Sequence, residues 1–422
     1  MSRLKKYILQ NKWILVLFVL FAFHVFLRFY QIELRNQFTW DQVDNAWAAK
    51  DILVDHKLPL LGMVAKQNTN FYIGPLYYYL ITPFYWFSNL DPIASGIFAG
   101  ISSIVTFFVI FFVVKKTFST EVALVAVFIH TFAMYIIELD RIQWPINFVA
   151  PVSLLIFFFL RKVMLGEVKY VYPLFIFLGI SFHLNFTAVY FPIIILLSLP
   201  FFPKTRKMLI NLLLALPTFF IWLVPNIIAE SSHTANQGKH IFDYVKDYTH
   251  GFHLQRMMQI KNDALIEFEG IFGSKLIKPF ELFLIPLFIF LYKQKSKREK
   301  VITSYLFVLW FFVPWVVFTL YKGEISNYYF SATRPFVLIV FSYITVYLFS
   351  NKNLILKYAV LIFWAYWGVS NFMLFLNTKY QALGYHREQV DKIEKAGGVI
   401  QFTQGVPESY IYYVHQLNKL KK

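Results

Sequence analysis

Residues 13–44 read WILVLFVLFAFHVFLRFYQIELRNQFTWDQVD, and this stretch decides how the rest of the chain is read. Its first part, residues 13–30, is an apolar run long enough, at about 1.5 Å per helical residue, to cross most of a hydrocarbon layer. Arg3, Lys5, Lys6 and Lys12 stand ahead of it. The run exceeds a typical signal-peptide core and no small-x-small cleavage site follows, so it reads as an uncleaved first span with the N-terminus in the cytoplasm. The tail, Phe38-Thr39-Trp40-Asp41-Gln42-Val43-Asp44, places two carboxylates among aromatic residues just past the span, with Asn45, Trp47 and Lys50 close behind. In a chain that is mostly membrane hydrocarbon, acids beside the bilayer surface are where chemistry is expected.

The composition agrees with that reading. Of 422 residues, 58% are hydrophobic and 15% charged, far beyond what a soluble core requires. Aromatic residues make up 21%, including 50 Phe, which suits a lipid-facing surface with interfacial Trp and Tyr. A formal charge of +17 would suggest nucleic acid in a soluble protein. Here the basic residues fall in short clusters between apolar runs and read as topology signals, so no nucleic-acid partner is expected. With no cysteine there is no disulfide framework, thiolate metal site or cysteine nucleophile.

Apolar lengths punctuated by basic clusters predict an all-α polytopic membrane protein with about eleven spans. They cover residues 13–30, 93–114, 122–139, 146–160, a short helical pair within 170–202 turning near His183-Leu184-Asn185, then 209–228, 280–292, 301–320, 335–349 and 357–376. Lys115-Lys116, Arg161-Lys162, the Lys204, Arg206 and Lys207 group, and the Lys293 to Lys300 cluster then fall on the cytoplasmic side. The first outer loop, residues 31–75, contains a surface helix over 40–53, where Val43, Ala46 and Trp47 recur at helical spacing. A second outer loop covers residues 229–278. The spans and loops form one transmembrane domain, 1–376, followed by a small extracytoplasmic C-terminal segment, 377–422, read as a helix and a strand around Val399-Ile400-Gln401-Phe402.

Asp41 and Asp44 lie three apart and share a helix face, so both can look into a cavity at the membrane surface. Asp41 suits a general base toward an acceptor hydroxyl or amine, or a divalent-metal ligand, with Asp44 and Asp140 as a second acid or metal ligand. The bland alternative is a helix cap or solvated loop acids. Arg141, at the end of the third span, can grip a phosphate with its planar fork, or serve as an interfacial anchor or a partner to Asp140. His183 and Asn185 mark a polar spot in an apolar hairpin, and Tyr328, Tyr329 and Arg334 can line a cavity or an interfacial belt. His233, His240, His250 and His253 lack a convincing zinc spacing. No nucleotide-binding loop or serine elbow appears.

Trp40-Asp41-Gln42-Val43-Asp44, Ile73-Gly74-Pro75-Leu76-Tyr77-Tyr78-Tyr79, Asp140-Arg141 with Trp144-Pro145-Ile146-Asn147, and Ser181-Phe182-His183-Leu184-Asn185, in that order, resemble the bacterial glycosyltransferase family 39 proteins of the GT-C fold. That family includes protein mannosyltransferases and the lipid A aminoarabinose transferase. The resemblance covers roughly residues 13 to 200. It implies sugar transfer from a polyprenyl-phosphate-linked donor to a lipid, glycan or protein acceptor at the outer face of the plasma membrane. Asp41 would be the essential acid, Arg141 would fall on the family's arginine after the third span, and Trp40, Tyr77, His183, Asn185 and Tyr328 would line the cavity. Many members carry Trp-Asn-Pro near Trp144, and some carry Lys-Pro-Pro-Leu where this chain has Ile73-Gly74-Pro75-Leu76. Lys66 or Arg334 would then replace the missing lysine on the donor phosphate. Several GT-C relatives pair the acid with a divalent metal, though not uniformly in this family.

The competing classes are a transporter or flippase of lipid-linked sugars and a polysaccharide polymerase or ligase. Ion-coupled transporters carry ionisable groups at mid-membrane, whereas the acids here collect at span ends, which favours the enzyme.

Overall fold

The computed structural model describes residues 12–65, 71–232, 237–273, 279–293, 297–380 and 382–396, together with 410, 413, 414 and 417. Among them the fold is helical throughout, with only isolated bridges at Val64–Tyr72 and Thr249–Tyr321. The helices in chain order are α1 Lys12–Phe29, α2 Ile32–Arg35, α3 Trp40–Leu53, α4 Leu76–Phe87, α5 Ile93–Thr117, α6 Thr120–Phe132, α7 Met134–Asp140, α8 Val149–Met164, α9 Val171–Ser181 and α10 Tyr190–Ser198. They continue with α11 Arg206–Phe220, α12 Val224–Ser231, α13 Gln237–Tyr248, α14 Leu254–Gln259, α15 Ile266–Phe272, α16 Pro279–Lys293, α17 Arg298–Thr319, α18 Arg334–Phe349, α19 Leu354–Asn377 and α20 Leu383–Lys395. Each of the eleven expected apolar segments is helical. Six of the described helical stretches are long and apolar enough to cross a membrane, and the bent pair α6 and α7 makes a seventh. The remainder, including Trp13–Phe29, Val168–Ser181 and Phe186–Phe201, are shorter apolar helices. The chain is a multi-pass membrane protein.

The centre of the bundle is α8. Along Pro145–Met164, 78% of the span window is buried, against 11% for Arg206–Ser231 and 17% for Leu354–Asn377, which therefore form the lipid-facing periphery. Phe157 of α8 meets the rings of Phe307, Trp310 and Phe336 edge-on at 5.6, 5.6 and 5.1 Å, the arrangement aromatic quadrupoles favour. A buried indole requires an acceptor, and Trp310 Nε1 donates to Ser153 Oγ at 2.7 Å. Ser153 in turn donates to the Ala332 carbonyl at 2.9 Å.

The third span departs from the straight helix expected over residues 122–139. At Ala133 the backbone turns extended and α7 leaves α6 at 72°. Breaking a helix inside a membrane frees backbone groups that no water can satisfy, and side chains from other spans take them up. Arg28 of α1 donates to the carbonyls of Thr131 and His130 at 2.6 and 2.8 Å, and Asn371 of α19 accepts from the Met134 amide at 2.9 Å. The same guanidinium closes on Asp140 at 2.7 Å. An arginine in the first apolar run is thus the internal partner of a broken helix that begins five elements later.

The C-terminal segment lies at the same end of the bundle as α3. The Leu383 amide donates to the Asn36 carbonyl at 2.8 Å. Leu383, Val390, Tyr410, Tyr413 and Leu417 share a cluster with Phe38, Val43 and Tyr85. Arg387 bridges Glu33 at 2.7 Å and Asp91 at 2.5 Å. The helix expected here is α20, and the strand expected at residues 399–402 lies outside the described residues.

Candidate functional site

Helix α3 begins where its sequence dictates. The amide and hydroxyl of Thr39 both donate to Gln42 Oε1, at 3.0 and 3.1 Å, a reciprocal cap that holds Asp41 in the first helical turn, where the macrodipole favours a carboxylate. Phe38 is fully buried against Tyr410 and Tyr413. Gln42 Nε2 donates to the Gln143 carbonyl at 3.0 Å, which ties the helix to the loop after Arg141. On this anchored helix Trp40 is 63% exposed and turned away, Asp41 is half-buried and Asp44 is exposed.

No hydrogen bond or ion pair holds the Asp41 carboxylate among the described residues. Burial raises its pKa above the ordinary aspartate value, and Asp44 is raised by desolvation and by the negative charge of Asp41. Tyr77, Tyr78 and Tyr328 lie within reach of the Asp41 charge. The buried Tyr77 hydroxyl, both polar atoms of buried Asn45 one turn beyond Asp41, and Gln143 Nε2 have no hydrogen-bond partner among the described residues. Tyr328 packs edge-on to Trp144 at 4.9 Å. Asp41 therefore faces a tyrosine-lined, incompletely bonded surround, the setting in which a carboxylate can accept a proton. Asp41 and Asp44 supply only two carboxylates. Among the described residues no group of three or more His, Cys, Asp or Glu gathers to hold a metal ion.

A cavity of about 570 Å³, almost entirely apolar, is walled by Phe71, Tyr72, Phe182, Phe186, Ile227 and Phe318; Asp41 does not line it, and its wall residue Tyr72 lies within reach of Tyr78, as Asp41 does. Its floor rests on a tight junction. Residues 62–65 run antiparallel to 71–73, with Gly62 N to Ile73 O at 2.8 Å and Ala65 N to Phe71 O at 2.7 Å. His183 then closes the corner: Nδ1 accepts from the Leu76 amide at 3.2 Å and Nε2 donates to the Trp222 carbonyl at 2.6 Å. At Gly74 an added Cβ would stand 2.1 Å from His183 Nδ1, which explains the glycine at this corner. Asn185 caps the next turn through the Thr187 amide at 3.0 Å. His183 lines the cavity and Asn185 does not; both serve as joints of the backbone.

The cations expected on the donor phosphate are placed differently. Arg141 donates to the carbonyls of Leu27, Arg28 and Tyr30 at 3.0, 2.7 and 3.1 Å, closing the C-terminal end of α1 as a cation should. Arg334 forms a bidentate pair with fully buried Glu267 at 2.7 and 3.1 Å. Asp140 is taken by Arg28 and by Ser103 Oγ at 2.7 Å. None of the three is brought to Asp41. Lys66, His233 and the side chain of His240 lie outside the described residues. Sequence reasoning missed Arg28 and Glu267 as partners. The signal for Arg28 was present, since a lone arginine within an apolar span requires a counter-charge.

Residues 72–228 match the family described as dolichyl-phosphate-mannose-protein mannosyltransferase. No curated protein matches the chain by sequence. Among solved structures, ArnT from Cupriavidus metallidurans bound to undecaprenyl phosphate superposes with a TM-score of 0.55 at 10% identity, over 97% of this chain and 76% of that one. The archaeal oligosaccharyltransferase AglB from Archaeoglobus fulgidus, in complex with an inhibitory peptide and a dolichol-phosphate, gives 0.52 at 10% identity, over 95% and 61%. The resemblance read from the sequence is thus found independently in the backbone, and the chain has the GT-C fold of these membrane glycosyltransferases.

Proposed function

We propose that the protein transfers a sugar from a polyprenyl-phosphate-linked donor to a hydroxyl or amine of a lipid, glycan or protein acceptor, with Asp41 as general base. The observations that support this reading are the half-buried Asp41 carboxylate, set among tyrosines with no hydrogen bond or ion pair among the described residues, and a 570 Å³ apolar cavity that Asp41 does not itself line. The cavity suits the isoprenoid chain, and structures of the same fold hold undecaprenyl phosphate and dolichol-phosphate. In the transfer step the acceptor oxygen or nitrogen attacks the anomeric carbon and the carbon–oxygen bond to phosphate breaks. Polyprenyl phosphate leaves with the bonding pair, and the acceptor's proton passes to Asp41. Tyr77 and Tyr328 shape the acceptor side and Asp44 supports the charge.

Of the cations the sequence offers for the donor phosphate, Arg141 and Arg334 have internal partners, which leaves Lys66 as the sequence candidate. The basic clusters at Lys115–Lys116, Arg161–Lys162 and Lys204–Lys207 end the spans away from α3, so the positive-inside rule sets the N-terminus in the cytoplasm and Asp41 at the outer face of the plasma membrane. The test is release of polyprenyl phosphate by purified protein from a polyprenyl-phosphate sugar, dependent on an added acceptor. Acceptor-independent passage of the intact donor across vesicles, with no release, would assign the chain to transport.

A further inference from the structure

The end of the bundle away from Asp41 carries a second cavity that sugar transfer does not use. Helix α5 packs near α3 and α4 at its start and is 25 residues long, so its far end lies about 37 Å away. There the α5–α6 turn, the end of α8, the start of α17 and the end of α18 enclose about 400 Å³, lined by Thr117, Ser119, Arg161, Lys300, Thr303 and Tyr347 among others.

The side chains in it are incompletely matched. Arg161 is only 6% exposed, yet its ion-pair partner Glu299 stands 3.3 Å off and is 69% exposed. The guanidinium Nε donates to Thr303 Oγ1 at 2.8 Å, and its Nη1 carries no hydrogen bond among the described residues. A buried cation whose counter-charge stands in water is under-compensated. Lys300 lines the same space and makes no ion pair among the described residues, so Arg161 and Lys300 outweigh Glu299. On the facing wall Thr117 Oγ1 is buried with no hydrogen-bond partner among the described residues, the kind of group that calls for a missing ligand. The starts of α6, behind Ser119, and of α17 add partial positive charge. Phe118, Val122 and Val346 make the rest of the wall apolar.

We propose that this cavity binds a phosphate-bearing anion, with Arg161 and Lys300 on the phosphate oxygens and Thr117 donating its hydroxyl. The phosphate can come from the headgroup of an anionic phospholipid in the adjoining leaflet or from free phosphate in solution, and the recognising chemistry is the same. The full chain is reconstituted in nanodiscs of phosphatidylcholine alone or with phosphatidic acid. Retained lipid is read by native mass spectrometry and the unfolding temperature is followed as inorganic phosphate is added. Arg161 variants would disturb the bundle itself, so Lys300→Gln, which removes a charge at the cavity edge, and Thr117→Leu, which fills the cavity, carry the test. The expected result is a phosphate-dependent signal in the wild type, weakened on the order of tenfold in each variant, as loss of one charge-assisted bond implies, while sugar transfer is unchanged. Retention of phosphatidic acid without an effect of inorganic phosphate identifies the lipid source, and protection by inorganic phosphate identifies the soluble one. No response to either in the wild type, or equal binding in both variants, overturns the proposal.

Discussion

Asp140→Asn separates a scaffold role from a substrate role for the Asp140-Arg141 pair. Asp140 Oδ2 receives Arg28 Nη2 at 2.7 Å, Arg28 Nε at 3.2 Å and Ser103 Oγ at 2.7 Å. Both charged partners are buried, so the substitution leaves the Arg28 guanidinium with two backbone carbonyls and the Ser103 hydroxyl but no counter-charge. Breaking a buried ion pair from one side costs about 3–5 kcal/mol. Ser103 Oγ donates to the same carboxylate, and a hydrogen bond to a charged group is worth about 1.5–3 kcal/mol, so Ser103→Ala should cost clearly less than Asp140→Asn. The double replacement Arg28→Met with Asp140→Leu should recover only the part of the loss due to the stranded charge, since the Thr131 and His130 carbonyls then lose their donor. Unfolding in mixed detergent and SDS micelles measures all three. If Asp140→Asn unfolds like Ser103→Ala but loses donor binding, the pair acts on substrate and the scaffold reasoning fails.

Three further outcomes follow from the geometry. Arg141→Lys cannot reproduce a planar fork on three carbonyls and should destabilise by roughly 1–3 kcal/mol, leaving polyprenyl phosphate affinity of the folded protein within about twofold. A tenfold loss of affinity at unchanged stability would return Arg141 to the phosphate. Gly74→Ala drives a methyl group into His183 and should cost roughly 1–3 kcal/mol, with Gly74→Ala/His183→Ala more stable than the single variant; no rescue in thermal unfolding would mean the close approach is not the cause. Because burial raises the Asp41 pKa in the folded state, the native protein holds that proton more tightly than the unfolded chain, and ionisation at neutral pH weakens the fold. Asp41→Asn should therefore unfold at or above the wild-type temperature at pH 7, with the difference vanishing below the ordinary aspartate range, and a variant less stable than wild type at pH 7 would contradict this.

Much of the fold is legible in the sequence because membrane spans are set by local rules. Apolar length and flanking charge locate the span helices, and the turn at His183-Leu184-Asn185 falls between α9 and α10 as expected. The bend at Ala133 is not legible, since it depends on Arg28 and Asn371 arriving from α1 and α19. Asp41 and its helix can be read from the Thr39–Gln42 cap and the Trp40-Asp41 context. The destinations of Arg141 and Arg334 cannot, because a guanidinium suits a phosphate, a carboxylate and a helix end equally well. Only the distances to Leu27, Arg28 and Tyr30, and to Glu267, decide among them. Gly74 likewise reads as a departure from a motif until His183 is seen against it.

The account centres on Asp41, which lies in a fixed first turn with no internal partner among the described residues and with tyrosines around it. The most direct measurement is single-turnover transfer from a polyprenyl-phosphate sugar to its acceptor by purified Asp41→Asn, compared with wild type at matched folded fraction. Losing a positioned base should slow transfer by roughly a hundredfold or more, with donor affinity retained and Asp44→Asn much less affected. Wild-type turnover in Asp41→Asn would contradict the account.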